Sequence, residues 1–245
     1  MKKNIRVFLS GVILLGADAF AAKDWKMSPY VGIKGGVVDH PASYKKLSIA
    51  DNGQFPGGTL IELGGKSLQP LGHLVFGCQW KSKHYFALDC TVGSQGGAIQ
   101  FDKTDGAPNG GLKCFKTSLK HPFDAGGTLR MGYALGNSVF FVGAGLVYGR
   151  WNLHLANDNV GNLFGLDSNT STRFGKAALF FKPGLGMIVP LDKCWNIVLE
   201  YNFLCGPSIS KILTSADSRS SWKHSTKIRQ QSIQLGINYH FKTPG

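Results

Sequence analysis

Residues 232–241 read SIQLGINYHF, and large apolar side chains alternate with small or polar ones along the whole segment. A period of two residues predicts a β-strand, because successive side chains of a strand point to opposite faces. One face carries Ile233, Leu235, Ile237, Tyr239 and Phe241. The other carries Gln234, Gly236, Asn238 and His240. One side of this strand therefore suits hydrocarbon, and the other side tolerates water.

The amino terminus has the pattern of a secretory signal. Residues 1–6 include three basic side chains, an apolar run follows at 7–15, and Ala19 and Ala21 offer the small side chains that a signal peptidase reads. The run is well short of the roughly 20 apolar residues that a membrane-spanning helix needs, which disfavours an N-terminal anchor. We predict a cleaved signal peptide over residues 1–21 and one mature domain over residues 22–245.

The composition of the mature chain fits one all-β domain with a positive charge. Glycine accounts for 33 of 245 residues, about twice its usual share of roughly 7%, and glycine suits tightly curved strands better than helices. The formal net charge is +13, and loss of residues 1–21 removes three basic and one acidic side chain to leave +11. We therefore expect the protein to attract anionic partners.

Eight strand-like segments follow one another, and the connections between them alternate between short and long. The first seven lie near residues 29–38, 71–80, 84–99, 126–135, 139–151, 174–189 and 195–205, and the eighth ends the chain. Tight turns are predicted at 81–83, 136–137 and 190–193, and long loops at 39–70, 101–122, 152–172 and 206–226. Short turns on one side and long loops on the other are typical of outer-membrane barrels.

Each segment separates into an apolar face and a polar face. The apolar faces include Ile33, Phe76, Leu185 and Leu199. The opposite faces carry glycines and these polar residues: Lys34, His73, Asp89, Arg130, Lys182, Asn196, Glu200, Asn202 and His240. We expect the apolar face to point outward. A soluble secreted lipid-carrier barrel, which is an alternative, has the reverse arrangement, with an apolar lumen and a polar exterior.

The final strand carries the motif that relates the chain to a family. Its order of polar residue, glycine and two aromatics, filled by Gln234, Gly236, Tyr239 and Phe241, resembles the terminal β-signal of bacterial outer-membrane barrels. With the signal peptide and the eight segments, the chain resembles the small OmpA/OmpX-type and opacity-protein-like β-barrels over essentially its whole mature length.

That resemblance implies an all-β fold, an eight-stranded antiparallel up-and-down transmembrane β-barrel. It implies a multi-pass protein of the cell outer membrane, in contact with outer-membrane lipid and folded by the barrel assembly machinery, with its loops facing outside. We expect no periplasmic peptidoglycan-binding domain, which some members of the family carry.

A polar cluster is predicted inside the barrel, and its residues are Lys34, Asp89, Arg130, Lys182 and Glu200. Eight strands leave an interior that side chains can fill, and buried charges are costly unless they are paired. We interpret the cluster as a plug, similar to those of the family. The alternative is a narrow porin-like channel with a conducting lumen.

Aromatic residues near the predicted strand ends suggest the girdles that anchor a barrel at the two membrane surfaces. They are Tyr30, Trp80, Tyr85, Trp151, Trp195, Tyr201 and Tyr239.

The fourth predicted loop and the start of the last strand form a candidate anion or glycan patch. Its residues are Lys211, Arg219, Trp222, Lys223, Lys227 and Arg229, and Asp217 is the one acid among them. Such a patch suits lipopolysaccharide phosphates, host surface glycans or host proteins, which predicts a structural or surface-interaction role such as adhesion. The alternative is a solvated loop without a ligand. No motif of a nucleic-acid-binding fold is present, so we expect no nucleic-acid partner.

No catalytic, cofactor-binding or metal-binding pattern stands out, so we predict no enzyme, no cofactor and no metal site. The adjacent pair His224 and Ser225 is the one hint of a lipid A-modifying enzyme. It lacks the His-x-Ser-Asn arrangement of the deacylase family, and an isolated His/Ser pair is weak evidence for an activated nucleophile.

The five cysteines are an odd number, so at least one lies outside any intramolecular bridge. Cys78 and Cys90 flank the turn at 81–83 and are candidates for a disulfide between neighbouring strands. They also suit a lipid-facing surface as small apolar residues.

Overall fold

The computed structural model of the chain describes residues 26–40, 42–48, 60–65, 67–106, 112–157, 171–214 and 221–241. The predicted signal peptide lies outside these residues. The described part forms eleven strands: β1 (Lys26–Asp39), β2 (Ala42–Ser48), β3 (Leu60–Gly65), β4 (Leu68–Lys81), β5 (His84–Gln95), β6 (Ile99–Gly106), β7 (Leu112–Leu135), β8 (Ser138–Asn157), β9 (Ser171–Pro190), β10 (Trp195–Thr214) and β11 (Ser221–His240).

Eight of these strands close into a ring. Each of β1, β4, β5, β7, β8, β9, β10 and β11 pairs antiparallel with the next, and β11 pairs with β1 to complete the circle. At that closure Ile33 lies opposite Ile237, and Tyr30 lies opposite His240. The hairpin of β2 and β3 pairs with the first residues of β11, and β6 pairs with the first residues of β7. The parts of the strands at this end of the barrel, away from the tight turns, are called the outer extensions. The predicted eight-stranded antiparallel up-and-down barrel is confirmed.

The three predicted tight turns are present at one end of the ring. They join β4 to β5, β7 to β8 and β9 to β10. Gly136 has a φ of +59° in the second turn, a conformation that glycine adopts without the steric penalty of a side chain. In the third, Oδ1 of Asp192 accepts hydrogen bonds from the backbone N–H groups of Cys194 at 2.6 Å and Trp195 at 2.8 Å.

The predicted long loops were wrong in extent, because strands continue well into all four. The first predicted loop contains β2 and β3, and β7 starts at Leu112 inside the second. The predicted fourth loop is mostly a hairpin in which Ser208 pairs with Lys227 and Thr214 pairs with Ser221. We expected outward apolar residues along every strand, whereas the extensions of β8, β9 and β11 carry Arg150, Arg173 and Lys227 on their outward face. On β10, Ile212 keeps an exposed apolar side chain.

An apolar surface encircles the lower part of the ring and is called the belt below. Leu185 is 58% exposed and Leu235 is 59% exposed, whereas Asp89 and Arg130 on the inward face are fully buried. The belt consists of Ile33, Val37, Leu74, Phe76, Leu88, Val92, Leu129, Tyr133, Phe140, Val142, Leu146, Tyr148, Leu179, Phe181, Leu185, Trp195, Leu199, Tyr201, Ile233, Leu235 and Ile237. Within the described residues, no helix is long and apolar enough to cross a membrane.

The candidate disulfide between Cys78 and Cys90 does not form. The register places Cys78 opposite Leu88 and Cys90 opposite Phe76, so the two sulfurs are not on directly facing residues. Both are free thiols, as are Cys194 and Cys205.

Candidate functional site

A four-charge ion cluster lies in the middle of the lumen. Nη2 of Arg130 lies 2.6 Å from Oδ2 of Asp89 and 2.7 Å from Oε2 of Glu200. Nζ of Lys34 donates a hydrogen bond to the same oxygen of Glu200 at 2.7 Å and lies 3.7 Å from Asp89. The phenolic hydroxyl of Tyr30 donates to the other oxygen of Asp89. Two positive and two negative groups therefore compensate one another away from water, as buried charges require.

The ion cluster connects strands from different parts of the ring. Its members lie on β1, β5, β7 and β10, and each side chain points inward because it occupies the phase opposite to the belt. The guanidinium of Arg130 also lies 4.8 Å from the ring centroid of Phe141. Below it lies an apolar core of Tyr85, Ala87, Val139, Phe141, Ile188 and Val198. A cavity of about 160 Å³ lies between this core and the tight turns.

Lys182, the fifth residue of the predicted interior cluster, is buried but stands apart from these four. It forms no ion pair with a described residue and borders a small cavity of about 30 Å³ above the ion cluster. On another wall of this cavity, Nε2 of His73 lies 2.9 Å from Oδ1 of Asp124. The structure therefore brings together four of the five predicted residues.

An aromatic stack closes the lumen above this cavity. The indole of Trp151 lies parallel to the His121 ring at a centroid distance of 4.2 Å. His40 meets the same indole edge-on at 6.0 Å, and Phe180 contacts it at 5.9 Å. Gly149 leaves room for this stack, since a Cβ there would lie 2.5 Å from Nε2 of His121.

Three residues of the predicted aromatic girdle lie inside the barrel, which corrects that prediction. Tyr30, Tyr85 and Trp151 are between 1% and 3% exposed. The expectation rested on position along the strand, whereas the phase of each residue decides which face it occupies. The other four predicted girdle residues share the phase of the belt: Trp80, Trp195, Tyr201 and Tyr239.

The outward face of the wall changes from apolar to mostly polar above the belt. Within the belt, outward side chains are apolar and the ion cluster lies inside. Above it, inward apolar side chains are almost completely buried, namely Ile99, Leu119, Leu153, Ile209 and Ile228. Ile228 lies between two exposed cations, Lys227 and Arg229, on the same strand. The alternation of residues 227–229 signals this change in the sequence.

The residues of the predicted anion patch do not share one surface. Lys223, Lys227 and Arg229 are exposed on the outward face of β11, and these three are called the basic rim. Lys211 is exposed in the opposite phase, paired with His224, and its Nζ lies 5.4 Å from the ring centroid of Phe174. Trp222 pairs with Leu213 and Ser48 in the register. Arg219 lies outside the described residues.

The basic rim continues the belt along one strand face. Ile237, Leu235 and Ile233 belong to the belt, and Gln231 follows them, accepting a hydrogen bond from the Tyr201 hydroxyl at 2.9 Å. Arg229 is the next outward residue. Since a strand rises about 3.4 Å per residue, the first cation lies roughly 14 Å from the last apolar side chain.

The terminal motif keeps its two faces in the barrel. Gln234 and Gly236 lie on the buried face, and Tyr239 and Phe241 lie on the outward side, where their rings meet nearly edge-on at 5.5 Å. This end of β11 pairs with β1, so the motif lies at the seam that closes the ring.

The His224 and Ser225 pair does not converge on one site. Successive residues of a strand point to opposite faces, and His224 is fully buried whereas Ser225 is partly exposed. Among the described residues, no group of three or more His, Cys, Asp or Glu side chains is arranged to hold a metal ion.

Comparisons with known proteins find similarity in structure alone. No family model matches the chain, and no curated protein sequence matches it. The chain is similar to Neisserial surface protein A, with 13% identity, coverage of 88% of this chain and 99% of the other, and a TM-score of 0.39. It is similar to the outer membrane protease OmpT of Escherichia coli, with 9% identity, coverage of 90% and 99%, and a TM-score of 0.48. Similarity to Ail, the attachment invasion locus protein of Yersinia pestis, has 11% identity, coverage of 85% and 99%, and a TM-score of 0.28. At these values the similarities assign no activity or ligand.

Proposed function

We propose that the chain is an integral outer-membrane protein with a sealed lumen, and that it acts as a surface-interaction module through its basic rim. Its ligands in this proposal are anionic glycans, either the polysaccharide of lipopolysaccharide or glycans of a host surface. The proposed role is structural or adhesive and not enzymatic.

The apolar belt and the polar outward face above it support the membrane placement. Soluble monomers rarely expose a contiguous apolar patch of more than roughly a few hundred Å², and here the belt surrounds the whole ring. Above the belt the outward face becomes charged, while the inward face carries buried apolar residues such as Ile228 beside buried polar ones such as His224 and Thr226. The change on the outward face is what a wall that leaves hydrocarbon and enters water requires. A soluble carrier barrel would have its polar face outward along its full height.

The packed lumen favours a sealed barrel over a porin-like channel. The apolar core at the turn end, the ion cluster and the Trp151 stack occupy successive levels of the interior. An ion would have to displace paired charges that hold one another in place.

The basic rim supports the choice of anionic glycans. Lys223, Lys227 and Arg229 are exposed along one strand face and form no ion pair with a described residue. Exposed cations bind sulfate, phosphate and carboxylate groups by charge-assisted hydrogen bonds. With a screening length of about 8 Å at physiological ionic strength, we expect this contact to weaken as salt is added.

Membrane placement is tested by isolating the outer-membrane fraction and running the protein in dodecyl sulfate with and without boiling. A folded barrel resists the detergent until it is heated, so we expect two different mobilities. Identical mobility, with the protein in the soluble periplasmic or secreted fraction, would overturn the placement.

The glycan role is tested by replacing Lys223, Lys227 and Arg229 together with Gln and measuring binding to heparin and to polysaccharide released from lipopolysaccharide. We expect at least a tenfold loss, which corresponds to about 1.4 kcal/mol. The matched control replaces Lys81, Lys83 and Lys193, which are exposed at the turn end, with Gln. Unchanged binding by the rim variant, or an equal loss in the control, would overturn the role.

We also propose that the barrel assembly machinery recognises the terminal motif, which is supported by its place at the seam. Replacing Phe241 with Ala should lower the amount of heat-modifiable protein in the outer membrane, whereas replacing Phe140, a similarly exposed phenylalanine of the belt, should lower it less. For the non-enzymatic role, expression in a suitable host should leave the lipid A mass spectrum unchanged, and a new lipid A species would contradict it.

A further inference from the structure

A second cationic surface lies on the outer extensions of β7, β8 and β9, separated from the basic rim on β11 by β10. It is a groove of about 410 Å³ with three exposed cations in its lining, Lys120, Arg150 and Arg173. The lining also includes His154, Asn152 and Gly175, and no acidic residue among those described. None of the three cations forms an ion pair with a described residue. The groove therefore has positive charge without an internal counterion.

The strand register places the cationic and polar residues of the groove on one outward face. Asn152 of β8 lies opposite Lys120 of β7 and Gly175 of β9, and in the next row His154 lies opposite Arg173. With neighbouring strands about 4.8 Å apart, the cationic side chains of the three strands line one groove around Asn152.

Gly175 lies in the floor of the groove beside Asn152. A Cβ at this position would lie 2.5 Å from Oδ1 of Asn152 and 3.5 Å from Nε of Arg150. The missing side chain therefore leaves the room that Asn152 occupies beside Arg150, and any larger residue here would displace both groups.

His154 adds an unused polar group. Its Nε2 atom is buried and has no hydrogen-bond partner among the described residues. His154 lies in the part of β8 beyond the belt, where burial, followed by the positive charges of Arg173 and Lys120, lowers the pKa of its imidazole. An anion between these groups would supply the partner that the ring nitrogen lacks.

The position of the groove points to the source of the anion. On β8 the outward residues run from Leu146 and Tyr148, which belong to the belt, directly to Arg150. On β9 the belt residue Leu179 lies two outward positions below Gly175. The groove thus begins where the apolar surface ends, at the level where a lipid headgroup carries its phosphate.

We infer that this groove binds the phosphate of an anionic glycolipid headgroup in the outer leaflet, with Arg150 and Arg173 as its principal donors. Arginine suits this role because its planar guanidinium donates two parallel hydrogen bonds to phosphate oxygens. The inference rests on the proposed membrane placement and is independent of the basic rim, which lies on β11.

The test uses the full mature protein folded in zwitterionic detergent, titrated with lipid A that carries two phosphates and, separately, with dephosphorylated lipid A. Bound lipid is counted by native mass spectrometry. We expect Arg150→Gln combined with Arg173→Gln to weaken binding of the phosphorylated lipid at least tenfold and to leave binding of the dephosphorylated lipid unchanged. Arg150→Lys with Arg173→Lys should restore part of the loss, since the charge remains while the paired donors are lost.

The charge-matched control is Lys81→Gln with Lys193→Gln at the turn end, and heat-modifiable mobility shows that each variant is folded. Equal loss in groove and control variants, or no loss in the groove variant, would overturn the groove as a phosphate site. If millimolar inorganic phosphate displaced bound lipid A as effectively as an equal molar amount of lipid A does, the lipid would be overturned as the source of the anion. If the protein were absent from the outer-membrane fraction, the membrane placement itself would be overturned. If a membrane-inserted groove variant still bound lipid A normally, only the phosphate site would be overturned.

Discussion

Nη2 of Arg130 lies 2.7 Å from Oε2 of Glu200, although 70 residues separate them in the chain. The two strands that carry them, β7 and β10, are not neighbours in the ring, because β8 and β9 lie between them. The contact therefore crosses the lumen and does not follow the wall. With Lys34 and Asp89 it connects four strands by charged groups that have no access to water.

Replacing Glu200 with Gln should destabilise the barrel by about 3–5 kcal/mol, because Arg130 and Lys34 would keep their buried charges with one carboxylate fewer. The free energy of unfolding in urea, measured in lipid vesicles, gives the value. Asp39→Asn is the control, since this partly exposed carboxylate at the end of β1 has no ion pair among the described residues. Equal stability of the two variants would contradict a structural role for the ion cluster.

The purified protein should give no stable conductance in planar bilayers, because apolar, charged and aromatic layers fill successive levels of its lumen. The same recordings are made with Glu200→Gln. A steady, reproducible conductance in the unaltered protein, changed in size by this substitution, would show that ions pass the ion cluster and would replace the plug with a channel.

Replacing Trp151 with Ala should cost about 3–5 kcal/mol, the usual loss for a large buried aromatic. Trp195→Ala should cost less, since this side chain is 41% exposed on the outward surface and leaves no internal cavity. Unfolding midpoints in urea compare the two variants. A larger loss at Trp195 would mean that the Trp151 stack does not support the upper barrel.

Replacing Gly149 with Ala should destabilise the protein by about 1–3 kcal/mol, because the new methyl group would overlap the His121 ring and force it off Trp151. Gly72→Ala provides the control, since a Cβ at that strand position meets no atom within 4 Å. That change should alter stability by no more than about 0.5 kcal/mol. The quantity to measure is the difference between the free energies of unfolding of the two variants.

The alternation of apolar and polar residues was sufficient to predict the ring and the inward direction of its charged residues. The same pattern underestimated the strands above the belt, because it was read with apolar residues outward. At residues 227–229 the apolar residue, Ile228, points inward and the two cations beside it point outward. The local pattern shows this alternation but does not show which of the two faces meets water. Trp151 shows the related error for aromatics, since its place near a predicted strand end gave no information about its face.

The sequence by itself determined the period of each strand, the tight turns between them and the set of residues that share a face, because these properties depend on neighbours a few positions apart. The tertiary structure alone decided which charges meet across the lumen, that Lys182 lies apart from the other four, and that Lys120, Arg150 and Arg173 line one groove. Those contacts depend on the register of strands that are distant in the chain, and register is set by closure of the whole ring.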